Sequence, residues 1–209
     1  VYQDLGKDYS AIEPPFWVAV TAAYLRNNGI SIAVIDANAE NISPEETATK
    51  TRELNPLVSA VIVYGSQPSA STQNMTIAGR ICSALRERTS SKVAIGGLHP
   101  SALPGQTLKE ENVDFVIEGE GPYTLLNLVQ AIKAKKSAYS NVPGLWYREN
   151  KVIKNNPRAE LIKNLDEALP VAAWDLLPMK KYRAHNWHCF DDIENRMPYG
   201  AIYTSLGCP

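Results

Sequence analysis

The chain has 209 residues, 44% of them hydrophobic, with a formal net charge of −1 and three cysteines. That length suits one α/β domain plus an appendage. The near-neutral charge excludes a general electrostatic pull toward nucleic acid or an anionic membrane. No apolar run approaches the ~20 residues of a membrane span, and Cys82, Cys189 and Cys208 are too scattered for a disulfide framework. The expected setting is a reducing cytoplasm.

Taken in order, the first element is a helix opened by Glu13-Pro14-Pro15 and closed by Gly29, since proline is tolerated in a first helical turn and glycine ends a last one. The apolar, β-branched run over residues 30–35 reads as a strand, with Asp36 directly after it. Ser43-Pro44-Glu45-Glu46 has the pattern of a capped helix start, and that helix should end near Asn55-Pro56. Residues 57–64 (LVSAVIVY) form a second strand, and Ser71 or Thr72 caps a helix running to about Arg88. Residues 92–95 and 113–117 are further strands, followed by Gly96-Gly97 and by Glu118-Gly119-Glu120-Gly121, and Pro122 starts a helix.

Strands alternating with helices at this spacing predict an α/β fold, a doubly wound parallel sheet of flavodoxin-like or Rossmann-like type. Ligands of such sheets sit at the strand carboxyl ends, where Asp36, residues 64–66, Gly96-Gly97 and Glu118-Gly119 fall. Few residues precede the first helix, so the opening strand of the sheet is expected to be missing. Beyond Lys136 a β-hairpin over residues 144–154 leads into a stretch rich in Pro, Trp and Tyr, with a short helix near Asp166. Residues 201–204 are strand-like again.

The strand-end loops carry the candidate chemistry. Tyr64-Gly65-Ser66-Gln67-Pro68-Ser69 offers hydroxyls, an amide and a glycine beside Gly96-Gly97-Leu98-His99-Pro100. Two glycines allow close backbone approach of a flat ligand, although each loop by itself also reads as an ordinary solvated turn. Glu118 and Glu120 beside a helix start disfavour phosphate, and neither a G-x-x-x-x-G-K-[ST] loop nor a G-x-G-x-x-G turn is present. His185, His188 and Cys189 lie close together, but their short spacing fits a packed aromatic linker better than a tetrahedral metal site.

Several stretches together resemble one family. "EPPFWVAVTAAYLRNNG", "IAVIDANAE", "VIVYGSQPSAS", "IGGLHPSALP", "VDFVIEGEGPYTLLNL", "AWDLLPMKKYRAHNWHCFDD" and "YTSLGCP" look like the amino-terminal domain and linker of cobalamin-dependent radical S-adenosylmethionine enzymes. The resemblance implies a cobalamin-binding domain over residues 1–137, a hairpin and linker over 138–200, and the start of a truncated radical domain at 201–209. It implies that Tyr64, Gly65, Ser66, Gln67 and Ser69 line one side of the cofactor pocket and Gly96, Gly97, His99 and Pro100 the other, with Glu118, Gly119 and Glu120 near the tail or the corrin amides.

The D-x-H-x-x-G motif by which many cobalamin domains place a histidine under cobalt is absent, so no protein histidine is expected there. Cys208 matches the first cysteine of C-x-x-x-C-x-x-C, whose three thiolates hold a [4Fe–4S] cluster that binds S-adenosylmethionine. For the whole enzyme the resemblance implies methylation of an unactivated carbon through methylcobalamin, some relatives instead cyclising or rearranging. This piece alone is expected to be inactive, with the radical domain of the same chain as its partner and neither nucleic acid nor membrane involved. The alternative is a stand-alone flavodoxin-like cobalamin-binding or sensing module. A small flavin or nucleotide-sugar enzyme is disfavoured by the missing phosphate loops.

Overall fold

The structure is a computed structural model and describes residues 11–65, 68–135, 139–185 and 195–203. Two compact units are present, one of Val1–Ile42 with Leu169–Pro209 and one of Ser43–Ala168.

The larger unit holds a five-stranded sheet in the linear order β1-β2-β3-β4-β5: β1 (Val58–Val63), β2 (Lys92–Gly97), β3 (Phe115–Ile117), β4 (Leu145–Glu149) and β5 (Val152–Asn155). The first three are parallel, and β4 and β5 continue the sheet antiparallel, Phe115 facing Tyr147 and Val116 facing Trp146. The hairpin expected from the sequence therefore widens the α/β sheet. Its turn residues Asn150 and Lys151 both have positive φ, 51° and 67°, the signature of the tight turn that matches strand twist.

Sequential parallel strands joined by right-handed crossovers place their helices on one face. The core agrees: Val63, Val93, Ile95 and Val116 of the strands close on Ala48, Ala78, Cys82, Leu85 and Leu108. Those helical residues lie on α3 (Pro44–Leu54), α4 (Pro68–Arg88) and α6 (Pro104–Glu110), with the short α5 (Leu98–Ala102) just before α6. On the opposite face Tyr139 meets Phe115 and Tyr147 edge-on, at 4.9 and 5.8 Å between ring centroids. α7 (Pro122–Lys133) follows β3.

The capping box of α3 is formed as the sequence predicts. Ser43 Oγ accepts the Glu46 N–H at 3.1 Å and Glu46 Oε2 accepts the Ser43 N–H at 2.8 Å. α4 instead begins a turn before the expected Ser71 or Thr72, at Pro68. Ser71 is fully buried and serves the strand ends instead. β3 is shorter than expected because Asp114 leaves the strand: its carboxylate accepts the Val93 N–H at 2.9 Å and pairs with Arg86 at 2.8 Å.

In the smaller unit α1 (Phe16–Asn27) packs Ala19 against Leu177 and Tyr182, while Ala22 and Ala23 pack against Ala173. Ile12 and Arg183 form a two-way backbone bridge at 3.0 Å, and Arg26 pairs with Asp175 at 2.7 Å. Residues 30–35, expected as a strand, carry no ladder among the described residues, and a strand is defined by its ladder. The segment runs into Asp36, which caps α2 (Ala37–Glu40). Residues 201–203 likewise carry no ladder, and Thr204 lies outside the described residues. α8 (Leu165–Ala168), at the end of the larger unit, corresponds to the short helix expected near Asp166.

Candidate cobalamin site

The carboxyl ends of β1, β2 and β3 lie side by side because the register pairs Val63 with Gly97 and Ile95 with Val116. This brings the loops after the three strands together, with Tyr64-Gly65 beside Leu98-His99 and both beside residues 118–121. Ser66 and Gln67, two of the expected lining residues, lie outside the described residues, as does Cys208.

The loops are stitched by side chains outside the expected lining set. Ser71 Oγ donates to Val63 O at 3.3 Å and accepts the His99 N–H at 3.1 Å, so one buried hydroxyl ties the end of β1 to the start of α5. Asn74 Nδ2 donates to Tyr64 O at 2.8 Å. Ser101 Oγ accepts the Gly119 N–H at 2.8 Å and so links α5 to the loop after β3. The signal in the sequence was the density of hydroxyls in "SQPSASTQN", which did not tell which would turn inward.

Of the expected pocket residues, Gly65 and Gly97 owe their identity to packing within the protein. Gly97 has φ 126°, and a Cβ there would collide with the Val63 carbonyl. Gly96 is buried in the sheet, its missing side chain bordered by Ile117 at 3.4 Å and Ile62 at 3.5 Å. Pro100 is buried and Ser69 exposed. His99 Nδ1 lies 2.9 Å from Thr72 Oγ1, a bond that holds the ring at the rim.

The loop after β3 is different. Gly119 has φ 93°, and a Cβ there would meet nothing within 4 Å. Its neighbours are not free carboxylates. Glu118, 8% exposed, accepts the indole N–H of Trp146 at 2.6 Å and the Arg158 Nε–H at 2.5 Å. Glu120 Oε2 accepts the Ile162 N–H at 3.1 Å. The edge thus offers open glycine backbone, hydroxyls and an imidazole, with both acids already partnered. That surface suits a large, amide-rimmed macrocycle, which needs close backbone approach and neutral hydrogen-bonding groups.

Residues 3–129 match the B12 binding domain family. The chain belongs to that family. Cobalamin is accordingly its cofactor. A Pyrococcus horikoshii protein described as an uncharacterized methyltransferase, PH0819, is 32% identical over 197 residues, 94% of this chain and 39% of that protein. The anaerobic magnesium-protoporphyrin IX monomethyl ester cyclase of Cereibacter sphaeroides is 28% identical over 186 residues, 87% of this chain and 29% of that enzyme. The B12 binding chain therefore spans less than two fifths of these curated relatives.

Solved structures share its fold. The cobalamin-dependent S-adenosylmethionine radical enzyme OxsB, with aqua-cobalamin and S-adenosylmethionine bound, superposes with a TM-score of 0.63 at 19% identity, over 82% of this chain and 23% of that one. The radical S-adenosylmethionine methyltransferase TsrM of Kitasatospora setae, with cobalamin and a [4Fe–4S] cluster bound, gives 0.60 at 19% identity, over 73% and 28%. The α/β class and the cobalamin-binding architecture expected from the sequence are those of this family. No described helix is long and apolar enough to cross a membrane.

Proposed function

We propose that this chain is the cobalamin-holding part of a radical S-adenosylmethionine enzyme that methylates an unactivated carbon. The family match over residues 3–129 carries the reading. The kinship with PH0819, described as a methyltransferase, favours methyl transfer, while the cyclase relatives mark the competing outcome. In this reading residues 1–137 bind the cofactor, 138–200 link it onward, and 201–209 open the radical domain, where Cys208 supplies the first cluster thiolate.

Bound cobalamin supplies a cobalt centre able to carry a methyl group from donor to acceptor. The chain's residues hold it. Tyr64, Gly65, Ser66, Gln67 and Ser69 form one wall and Gly97 and His99 the other, with the buried Gly96 and Pro100 packed behind it. The backbone at Gly119, between Glu118 and Glu120, lies against its periphery. Thr72 fixes His99 at the rim, keeping the imidazole engaged with the protein.

Hydroxocobalamin mixed with the full chain and passed through gel filtration tests this. A red chromophore eluting with folded protein at one per chain is expected; a folded chain that emerges colourless overturns it. The gene sequence is the second test. Two further cysteines following Cys208 at C-x-x-x-C-x-x-C spacing support the radical domain, and their absence leaves a binding module without that chemistry.

A further inference from the structure

We infer that Arg158 is a positioning residue of the cobalamin site, clamping residues 156–162 across the end of β3 and turning the acids of residues 118–121 away from the cofactor. The inference rests on the cofactor placement proposed above and adds a residue that no strand-end motif contains.

The strap is tied to the loop at several points. Arg158 Nε donates to Glu118 Oε1 at 2.5 Å, and the Ile162 N–H donates to Glu120 Oε2 at 3.1 Å. Between them the backbone closes a relay: the Glu118 N–H donates to Gly144 O at 2.8 Å and the Gly144 N–H to Pro157 O at 2.7 Å. Gly144 has φ 69°, and a Cβ there would sit 2.7 Å from Glu118 O, so the relay leaves no room for a side chain. Trp146 Nε1 occupies the other oxygen of Glu118 at 2.6 Å.

Charge explains why the clamp matters at this place. Glu118 is 8% exposed, and a buried carboxylate is costly unless paired and hydrogen-bonded. Cobalamin brings amides and one phosphodiester anion, so an unclamped acid at its edge would repel it. With both glutamates held by the strap, Gly119 stands between them, its N–H on Ser101 and its Cβ position open. Arg158 itself is 72% exposed, and an exposed ion-pair partner contributes little to global stability. Its loss should therefore act on the loop more than on the fold.

The test compares Arg158→Gln and Arg158→Lys with wild type in the full chain. Hydrogen exchange in the cofactor-free protein reads the loop directly, and hydroxocobalamin titration reads the site. Arg158→Gln is expected to speed exchange in peptides covering residues 118–121 and to weaken cobalamin binding about tenfold. Any fall in melting temperature should be small beside the local change, because Trp146 still donates to the Glu118 carboxylate. Arg158→Lys should recover most of the loss, because the contact uses one N–H and the charge. Unchanged exchange at the loop, or unchanged cobalamin affinity despite faster exchange, overturns the inference. So does a uniform rise in exchange tracking a lower melting temperature. Failure of wild type to take up hydroxocobalamin overturns the cofactor placement instead, while the exchange comparison still decides whether the clamp exists.

Discussion

Tyr182 donates its hydroxyl hydrogen to Asp36 at 2.8 Å, joining residues 146 positions apart. The same carboxylate caps α2, its other oxygen accepting the N–H groups of Asn38 at 3.1 Å and Ala39 at 3.0 Å. Tyr182→Phe is expected to cost about 1 kcal/mol in chemical denaturation, the worth of one hydrogen bond. Burial, with Asp36 nearby, raises the phenol's pKa from its usual 10.0. A raised folded pKa means that this contribution is complete below about pH 10 and lost as pH climbs toward the folded value. Wild type should therefore lose stability on that alkaline limb faster than Tyr182→Phe, and equal slopes would refute the coupling.

The glycines of the strand ends should separate by mechanism. Gly97→Ala puts a methyl group into the Val63 carbonyl at a φ of 126°, so the melting temperature should fall by several degrees whether or not cofactor is present. Gly119→Ala meets no neighbour within 4 Å, so it adds no clash to the strain of its φ of 93° and should cost less stability, while the added methyl obstructs the cofactor. Weaker hydroxocobalamin binding with a modest change in melting temperature is the expected result for Gly119→Ala, and the reverse pattern would move the cofactor elsewhere.

Glu111 makes a pH-dependent demand on the larger unit. Its carboxylate lies against Gly79 of α4, and burial, then Glu110, raises its pKa from the usual 4.5 while His99 opposes. For a carboxyl raised in the folded state, the stabilising contribution is complete below about pH 4 and is lost as pH rises through the folded value. Glu111→Gln should thus be more stable than wild type at pH 7 and indistinguishable near pH 4. Denaturation midpoints at the two pH values decide it, and a gain of equal size at both would rule out titration as the cause.

Cobalt in the bound cofactor should carry no histidine from this chain. The D-x-H-x-x-G motif is absent, and His99 Nδ1 is held by Thr72 at 2.9 Å. Electron paramagnetic resonance of the cobalt(II) form should show no splitting from a histidine nitrogen, and His99→Ala should leave the visible spectrum unchanged. A nitrogen splitting that vanishes in His99→Ala would contradict this.

Cys82 is fully buried, and burial, with Glu111 nearby, pushes its thiol up to about 12. In a background with Cys189 and Cys208 changed to Ser, iodoacetamide at pH 8 should leave Cys82 unmodified until the chain unfolds. Rapid labelling in the folded state would show that α4 opens locally.

Elements governed by neighbouring residues were legible in the sequence. Ser43, Pro44 and Glu46 suffice to define the start of α3, since a capping box closes within four residues. The β-branched runs of β1 and β2 and the glycines at the end of β2 and after β3 pointed to a candidate site at the strand carboxyl ends, and the order of seven short stretches marked the family. Pairing is non-local, and there the reading stopped. Residues 30–35 have the composition of a strand but no ladder partner among the described residues, and the hairpin of β4 and β5 joins the sheet because β4 pairs with β3, residues 145–147 facing 115–117. Tertiary structure alone decided that α1 shares a core with Leu177 and Tyr182. It alone also turned Glu118 toward Trp146 and Arg158, 28 and 40 residues away. A side chain's type states which bonds it is able to make; which partner it finds depends on segments that only the folded chain brings within reach.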